Sequence, residues 1–336
     1  MLATQNPTAP HNLAPEKPKS TLMEPDHKAP AFALDHEDQF MKDFLRDGYV
    51  VMRNAISTED AAKYADKAQE WLEGFNMGYK RDDPATWKKD NIPKQWNGIY
   101  SLFSFAHAQW VWDIKTEPRW VEAFEKIWGT KELLVSYDGG NLSIPLSADE
   151  VSFNQPWPHT DQAPARPGLY CVQSLINLLP NGEKDGGLSV MRGSAALFPE
   201  LVEAFNLRSQ CTGRDHFRFK PEHIEWLKER GCTWVHPDLN PGDVVFWDSR
   251  QAHTAAAPEA GRPRMAVYAC YKPAKEISPE CLKLRQEAFE KGYCTTHDPI
   301  TGIYKENSDA DWNILFPYGK PELTERQLKY AGMVPY

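Results

Sequence analysis

From residue 133 onward the sequence consists mainly of short apolar runs that are separated by turn-forming residues. The runs at 133–137 and 141–144 flank an Asp-Gly-Gly turn, and further runs follow at 170–178 and 264–271. Runs of this length between turns are typical of β-strands. They do not alternate with helices one by one, which argues against a doubly wound parallel sheet. Seven or so such strands predict a mainly β protein with flanking helices, folded as an antiparallel double-sheet barrel.

The ends of the chain differ in character. Residues 1–35 are rich in Pro, Ala, Lys and Asn without apolar periodicity, which is typical of a flexible tail. No internal repeat and no linker composition is visible after residue 35. We therefore predict a flexible N-terminal tail over 1–35 and a single jelly-roll domain over 36–336. Helical and aromatic-rich insertions extend it, including a long helix capped by Ser57 and another at 117–129.

Tryptophan is concentrated in one part of the chain. Seven of the twelve tryptophans fall between residues 71 and 128, and these are Trp71, Trp87, Trp96, Trp110, Trp112, Trp120 and Trp128. Large aromatic side chains dominate both protein cores and subunit interfaces, so this region predicts core packing together with a homodimer surface. Alternatively, part of it covers the active site as a lid.

Composition excludes several classes of partner. The formal net charge is −9 and the basic residues form no cluster, so we expect neither nucleic acid nor an anionic membrane as a partner. No apolar run approaches the ~18 residues of a membrane span, and no secretory signal is visible. The six cysteines follow no disulfide or metal-binding spacing. A reducing, cytoplasmic location is therefore expected.

The chemistry of the chain is concentrated in the stretch Pro-Trp-Pro-His-Thr-Asp at 156–161. Residues two apart on a strand face the same side, so His159 and Asp161 would present an imidazole and a carboxylate together. A third candidate, His253, follows a predicted strand at 243–247. Two imidazoles and one carboxylate on one side of a metal form the facial arrangement of non-haem Fe(II) oxygenases. A lone His-x-Asp is a weak motif, and the β-rich surroundings of both segments are what strengthen it.

An arginine complements these three residues. Arg264 follows His253 by eleven residues and opens an apolar strand, which would carry its guanidinium into a mostly apolar barrel. A buried guanidinium is costly unless it meets an anion, and its planar fork is suited to a carboxylate. We interpret Arg264 as the anchor of an organic acid. Four further histidines have no such context and are read as solvent-facing or core residues, namely His107, His216, His223 and His297.

Taken in order, these motifs resemble those of the phytanoyl-CoA dioxygenase family of Fe(II)- and 2-oxoglutarate-dependent oxygenases. The similarity covers roughly residues 38–272. It includes His159-Thr160-Asp161, the Gly-x-Leu-x-Val-x-x-Gly-Ser block at 186–194, the Pro-Gly-Asp to His segment at 241–253, and Arg264. Several ordered motifs at compatible spacings are far more specific than any single one. The resemblance implies a double-stranded β-helix (jelly-roll, cupin-like) barrel and an iron-dependent catalytic domain.

The resemblance also implies roles for individual residues. His159, Asp161 and His253 would hold Fe(II), and Arg264 would pair with the far carboxylate of the cosubstrate 2-oxoglutarate. Gln173, Asn141 and Ser143 lie where the family places cosubstrate contacts, although satisfied core polar groups are an equal alternative. Some family members carry a serine two residues after the distal histidine. This chain has Ala255 there, which puts one cosubstrate hydrogen bond in doubt.

The implied reaction is oxidation of a C–H bond by dioxygen, with release of succinate and CO2. Related halogenases carry a small residue where this chain has Asp161, so hydroxylation, desaturation or ring formation is expected instead. The substrate would be a small organic molecule, a secondary metabolite, contacted by Phe153, Trp157 and Trp247. Two alternatives stay open on the same barrel: a cupin-like metal-dependent isomerase or hydrolase without cosubstrate, and a non-catalytic binding module.

Overall fold

The computed structural model describes residues 38–146, 156–211, 215–301 and 307–336. Within these ranges short α-helices surround two antiparallel sheets. The helices are α1 (Gln39–Asp47), α2 (Thr58–Glu73), α3 (Gln109–Lys115), α4 (Pro118–Trp128), α5 (Ser194–Ala204), α6 (Pro221–Glu229), α7 (Pro279–Lys291) and α8 (Glu325–Ala331). Local sequence defines their ends. The hydroxyl of Ser57 accepts from the Asp60 N–H at the start of α2, and Gly129 adopts a left-handed conformation at the end of α4.

Twelve strands occur among the described residues, and several are only two or three residues long. They are β1 (Tyr49–Met52), β2 (Ile99–Tyr100), β3 (Leu133–Val135), β4 (Gly140–Ser143), β5 (His159–Thr160), β6 (Val172–Asn177), β7 (Gly187–Arg192), β8 (Phe217–Arg218), β9 (Thr233–Val235), β10 (Val244–Asp248), β11 (His253–Ala256) and β12 (Arg264–Pro273).

The strands form a major and a minor sheet. The major sheet has the order β1-β10-β6-β12-β4-β2, with β3 paired to the far end of β12, and the minor sheet has the order β8-β5-β11-β7-β9. Every strand pairing in both sheets is antiparallel. From β5 to β7 and again from β9 to β12, the chain alternates between the minor and the major sheet, as expected for a double-stranded β-helix. The predicted fold class is therefore confirmed, with more and shorter strands than the seven or so expected.

Strand alternation gives the major sheet two distinct faces. On β6, Gln173 and Leu175 lie on one face and Ser174 on the other, and the register with β10 and β12 propagates this division across the sheet. The outer face packs with the helices in the largest apolar cluster, which includes Phe246 of β10 and Trp120 of α4. The inner face meets the minor sheet through a smaller cluster that joins Leu175, Val245, Trp247 and Ala266 to Leu188 and Val190.

The tryptophan-rich region belongs chiefly to the outer cluster. Trp71, Trp110, Trp112 and Trp120 are buried there, which confirms core packing for these four and makes a lid over the inner face wrong for them. Trp96 differs, because 54% of its side chain is exposed. It lies in a tight hairpin, since its backbone bonds reciprocally with Ile99, the first residue of the edge strand β2.

Two further expectations concern the chain as a whole. All six cysteines are free thiols, in agreement with the absence of a disulfide spacing. In the part of the chain that the structure describes, no helix combines the length and the apolar character needed to cross a bilayer. The tail expected over 1–35 lies outside the described residues, and the single-domain organisation remains a prediction.

Candidate metal centre

The minor sheet brings the two candidate histidines together. His159 on β5 and His253 on β11 are direct partners in the antiparallel register, and their ring centroids lie 4.2 Å apart. Side chains of directly opposed residues project from the same face of a sheet. The two imidazoles therefore approach each other although 94 residues separate them in the chain.

Asp161 completes the group from just beyond the end of β5, where its backbone N–H donates to the Ser249 carbonyl at 3.1 Å. Its Oδ1 lies 3.6 Å from Nε2 of His159, and its Oδ2 lies 3.4 Å from Nε2 of His253. One atom from each of the three residues falls within 4.8 Å of the other two. Atoms that bind one ion at about 2 Å are necessarily within about 4 Å of one another, so the spacing fits a single cation after small side-chain adjustments.

Backbone carbonyls fix the orientation of both rings. Nδ1 of His159 lies 3.0 Å from the Trp157 carbonyl, and Nδ1 of His253 lies 3.0 Å from the Gln251 carbonyl. A carbonyl oxygen can only accept, so in each ring Nδ1 carries the hydrogen and Nε2 keeps a lone pair. This is the usual arrangement of metal-binding histidines, in which the second ring nitrogen is held by a hydrogen bond.

The local electrostatics favour a cation. Burial, together with the neighbouring His253, lowers the pKa of His159 to about 4, so this imidazole is neutral at physiological pH. Burial alone would raise the pKa of Asp161, but the adjacent His159 and His253 outweigh it and hold that pKa well below its usual value. The group thus presents two lone pairs and one negative charge, which is the donor set that suits a divalent iron ion.

Neighbouring side chains support the three residues. The indole of Trp157 stacks on the His159 ring at a centroid distance of 3.8 Å, and Trp247 lies 5.9 Å from the His253 ring. Gln173 donates from Nε2 to Oδ2 of Asp161 at 2.8 Å. Trp157 and Trp247, predicted as substrate contacts, therefore border the candidate centre, and Gln173 orients one of its ligands. Phe153, the third predicted substrate contact, lies outside the described residues.

Arg264 lies on the inner face of the major sheet, where it is 5% exposed. Its Nε has no hydrogen-bond partner within the described ranges. Gly187 on the minor sheet passes so close that a Cβ at this position would lie 2.5 Å from that Nε. A glycine is required there for two reasons, since its φ of +100° is also unfavourable for other residues. A buried, incompletely bonded guanidinium fits the carboxylate of an organic acid such as 2-oxoglutarate.

Asn141 and Ser143 share this face but differ from Arg264 in their bonding. Ser143 is the direct cross-strand partner of Arg264, which places both predicted residues beside it. The Ser143 hydroxyl donates to Oδ1 of Asn141 at 2.9 Å, and Nδ2 of Asn141 donates to the Asn97 carbonyl at 3.0 Å. The structure therefore leaves these two residues bonded within the protein, whereas Oε1 of Gln173 is unpartnered among the described atoms. Their role in cosubstrate binding remains a prediction.

Two residues near the centre were not predicted. Tyr268 lies two positions beyond Ala266 on the Arg264 face of β12, and Arg264 interacts with its hydroxyl. Strand alternation from Arg264 could have identified it. His297, read as an ordinary histidine, lies within electrostatic range of Asp161. Burial would lower its pKa, but Asp161 and other acidic groups raise it to about 9. No periodic pattern in its segment indicated this placement.

Comparison with known proteins agrees with the geometry. The model of the family described as phytanoyl-CoA dioxygenase (PhyH) matches residues 44–266. Ava biosynthesis cluster protein O of Aspergillus versicolor is 36% identical over 270 residues, which cover 79% of this chain and 87% of that protein. The crystal structure of the epimerase SnoN in complex with Fe3+, alpha ketoglutarate and nogalamycin RO aligns with a TM-score of 0.52 at 19% identity. That alignment covers 85% of this chain and 95% of SnoN, and it supports the fold.

The family match includes all three candidate ligands and Arg264, and the residues present fit an iron ion and an organic acid. The chain therefore belongs to the phytanoyl-CoA dioxygenase family and is a non-haem iron, 2-oxoglutarate-dependent dioxygenase.

Proposed function

We propose that this enzyme oxidises a C–H bond of a small organic secondary metabolite, with His159, Asp161 and His253 as the iron ligands. One observation carries the proposal: a compact group of two imidazoles and a carboxylate shares the space between the sheets with the incompletely bonded guanidinium of Arg264. When bound, iron and 2-oxoglutarate supply the oxidising power, and 2-oxoglutarate leaves as succinate and CO2. The products expected from a centre that retains Asp161 are those of hydroxylation, desaturation or ring formation.

The protein's contribution is positioning. The two Nε2 atoms and the Asp161 carboxylate define one face of the centre, because carbonyls hold the rings and Gln173 holds the carboxylate. Arg264 would bind the far carboxylate of 2-oxoglutarate in a paired, charge-assisted contact. The aromatic walls formed by Trp157 and Trp247 keep water from the ligands and offer apolar contact to a substrate.

Two features favour a small substrate over a coenzyme A thioester. The phosphates of coenzyme A would need free arginines or lysines, and two of the three candidate arginines are already occupied, because Arg166 pairs with Asp215 at 2.6 Å and Arg250 with Asp248 at 2.6 Å. The likeness to a protein named for a biosynthesis cluster also supports a role in secondary metabolism. Oxidation of such a metabolite would be one tailoring step on a preformed carbon skeleton.

The direct test combines spectroscopy and turnover. Anaerobic addition of Fe(II) and 2-oxoglutarate should produce the weak visible charge-transfer band of the chelate, and candidate metabolites with dioxygen should then release succinate. The His159→Ala variant should lose both signals. His223→Gln is the matched control, because His223 caps α6 by accepting from the Lys220 N–H and is not one of the three candidate ligands. Equal succinate release by the His159→Ala variant would refute the ligand assignment.

A homodimer remains a proposal of its own. Trp96 is the exposed member of the tryptophan-rich region, and Trp312 and Ile314 are also exposed, at 37% and 56%. Exposed aromatic side chains of this size are enriched in subunit interfaces. Sedimentation of the purified protein should give a dimer, and Trp96→Ser should shift it toward the monomer. A wild-type monomer at all concentrations would reject the proposal.

A further inference from the structure

A non-helical segment after α7 lies against the sheets near the candidate metal centre. We refer to residues 293–300 as the C-terminal strap. Most of its side chains are buried, and Tyr293, Thr295, Asp298 and Ile300 are each at most 5% exposed. The strap begins after the left-handed Gly292 that ends α7. A segment with this burial and without regular structure needs other hydrogen bonds to satisfy its backbone.

Those bonds attach the strap to two separate parts of the barrel. The Thr295 N–H donates to the Tyr137 carbonyl at 2.8 Å, and the Tyr137 N–H donates back to the Thr295 hydroxyl at 3.1 Å. At the other end, the Tyr170 hydroxyl donates to the Asp298 carboxylate at 3.0 Å, and Lys272 lies 3.7 Å from the same carboxylate. The strap thus connects the segment between β3 and β4 with the segment that precedes β6.

His297 lies between these two attachments. The charges that act on its imidazole include those of Asp161, Asp138 and Asp298. Geometry places this part of the strap beside the centre: Asp298 lies 3.7 Å from Lys272, and Cys270, two residues earlier on the same face of β12, pairs with Gln173, whose amide bonds Asp161. His297 is not one of the three residues whose ligand atoms lie within 4.8 Å of one another. His297 and the adjacent Thr296 are partly exposed, whereas the strap residues before and after this pair are buried.

The strap lies outside the part of the chain that is common to the family. The match to the family model ends at residue 266, and His297 follows 31 residues later. The iron ligands and Arg264 fall within the match, so the shared chemistry does not depend on the strap. A polar residue that lies beside the centre but outside the shared region is suited to distinguish one substrate from another.

We propose that His297 is a substrate-positioning residue whose imidazole donates a hydrogen bond to an oxygen of the substrate, next to the carbon that is oxidised. This inference rests on the proposed function, because it takes His159, Asp161 and His253 as the iron ligands. The groups that act on the imidazole are three carboxylates, which are acceptors, and the thiol of Cys171, which is only a weak donor, so a hydroxyl or carbonyl oxygen would find its donor at His297. The substrate class is therefore a small molecule with such an oxygen close to the reacting C–H bond.

Three probes of one carbon frame separate this hydrogen bond from general apolar binding. Acetophenone carries a carbonyl oxygen, 1-phenylethanol carries a hydroxyl and ethylbenzene carries neither. Each is titrated into the anaerobic complex of the full-length protein with Fe(II) and 2-oxoglutarate, and the shift of the visible band gives its dissociation constant. For the wild type we expect at least one oxygen-bearing probe to bind about tenfold more tightly than ethylbenzene, as one hydrogen bond allows.

The variants His297→Phe and His297→Gln assign the preference to the imidazole. His297→Phe should bind all three probes equally, and His297→Gln, which keeps an N–H donor, should restore part of the preference. The dissociation constant of 2-oxoglutarate, read from the same band, should stay within about twofold of the wild-type value in both variants. Such a value would show that the substitutions leave the metal centre intact.

The possible failures are distinguishable. Absence of the band in the wild type would reject the proposed function itself. If the band forms but the wild type binds the three probes equally, or His297→Phe keeps the preference, the role of His297 is overturned while the proposed function stands. A loss of 2-oxoglutarate binding in both His297 variants would show a structural role for the strap and would also overturn the inference.

Discussion

The two faces of the major sheet handle polar side chains differently, and neighbouring residues on β6 show the contrast. On the outer face, the Ser174 hydroxyl accepts from the Trp120 indole N–H at 2.9 Å and donates to the Ala269 carbonyl at 2.6 Å. On the inner face, Gln173 donates to Asp161, but its Oε1 has no partner among the described residues. Protein groups therefore satisfy the Ser174 hydroxyl completely, whereas the Gln173 Oε1 has no hydrogen-bond partner among the described residues.

The same division extends across the described strands of the major sheet. Among the strand residues, inner-face atoms without a hydrogen-bond partner belong to Gln173, Asn177, Trp247 and Arg264, whereas the outer face contributes the Tyr100 hydroxyl. Lys272 also lacks a hydrogen bond but lies 3.7 Å from the Asp298 carboxylate. The elements packed on the outer face add four unbonded nitrogens, in Trp71, His107, Trp110 and Trp112. Buried polar atoms are normally bonded, so unbonded ones require a reason. A bound cosubstrate and substrate supply that reason on the inner face. Within the sheet itself, the outer face is therefore suited to stability and the inner face to binding, and the following substitutions test this difference.

The largest expected effect is the loss of iron from the inner side. His253→Ala removes one of three protein ligands, and we expect Fe(II) affinity to fall by at least about 100-fold, because the ligand set is incomplete. The free energy of unfolding of the metal-free protein should also fall, because the buried ring lies near Trp247 and its Nδ1 bonds the Gln251 carbonyl, so stability is measured separately from iron binding. Iron content after desalting and urea unfolding with a chelator measure the two quantities. Stoichiometric iron in the variant would remove the basis of the comparison.

The next effect belongs to the outer face and uses two neighbours on β10. Phe246 is fully buried in the outer cluster, so Phe246→Ala should lower the free energy of unfolding by about 3–5 kcal/mol. Trp247 faces inward with an unpartnered indole N–H, and Trp247→Phe should cost less than about 1.5 kcal/mol. Urea unfolding of the metal-free variants provides both values. Equal losses would show that the two faces do not differ in the proposed way.

Cosubstrate binding gives the third effect. Arg264→Ala should weaken 2-oxoglutarate binding by about 2–5 kcal/mol, or at least about 30-fold, because a buried charge pair loses one partner. The matched control is Arg262→Ala. Arg262 lies two residues before the start of β12, and its half-exposed guanidinium is already paired with Asp185. Titration of the visible band with 2-oxoglutarate measures the affinity of each variant. Unchanged activity of Arg264→Ala would instead favour a metal enzyme that uses no cosubstrate.

The sequence predicted the inner face better than it predicted the surroundings of that face. The two-residue period of strands was sufficient to place His159 with Asp161 and Arg264 inside the barrel. The direct pairing of His159 with His253 could not be predicted, because strand register depends on the complete sheet. β5 and β8 are two residues long, too short to leave a pattern.

His297 could not be predicted for a different reason. Its strap is fixed by a few individual contacts, including hydrogen bonds with Tyr137 and Tyr170, which are distant in sequence. Contacts of this kind follow from the folded arrangement and have no periodic signature. The residues of the centre that lie on strands could therefore be predicted from the sequence, whereas His297, which lies in an irregular segment, could not.

A buried histidine on the outer side provides the smallest and most selective test. His107 lies among aromatic rings and donates from Nε2 to the Tyr293 carbonyl at 2.9 Å. Burial, assisted by the cations Lys115 and Arg285, lowers its pKa from 6.5 to about 4. The unfolded chain therefore binds a proton at a higher pH than the folded protein does. Its contribution to stability is present above pH 6.5 and declines as the pH falls toward 4.

The expected size follows from the shift of about 2.5 pH units, which corresponds to at most about 3 kcal/mol by pH 4. The difference in unfolding free energy between the wild type and His107→Phe, measured from pH 7 to pH 4, isolates this contribution because His159 titrates equally in both proteins. Fe(II) should not alter that difference, since the proton acceptor of His107 is a protein carbonyl on the side of the sheet away from the metal. A difference that Fe(II) removes would mean that the two faces are coupled, and the division between a stability face and a binding face would no longer hold.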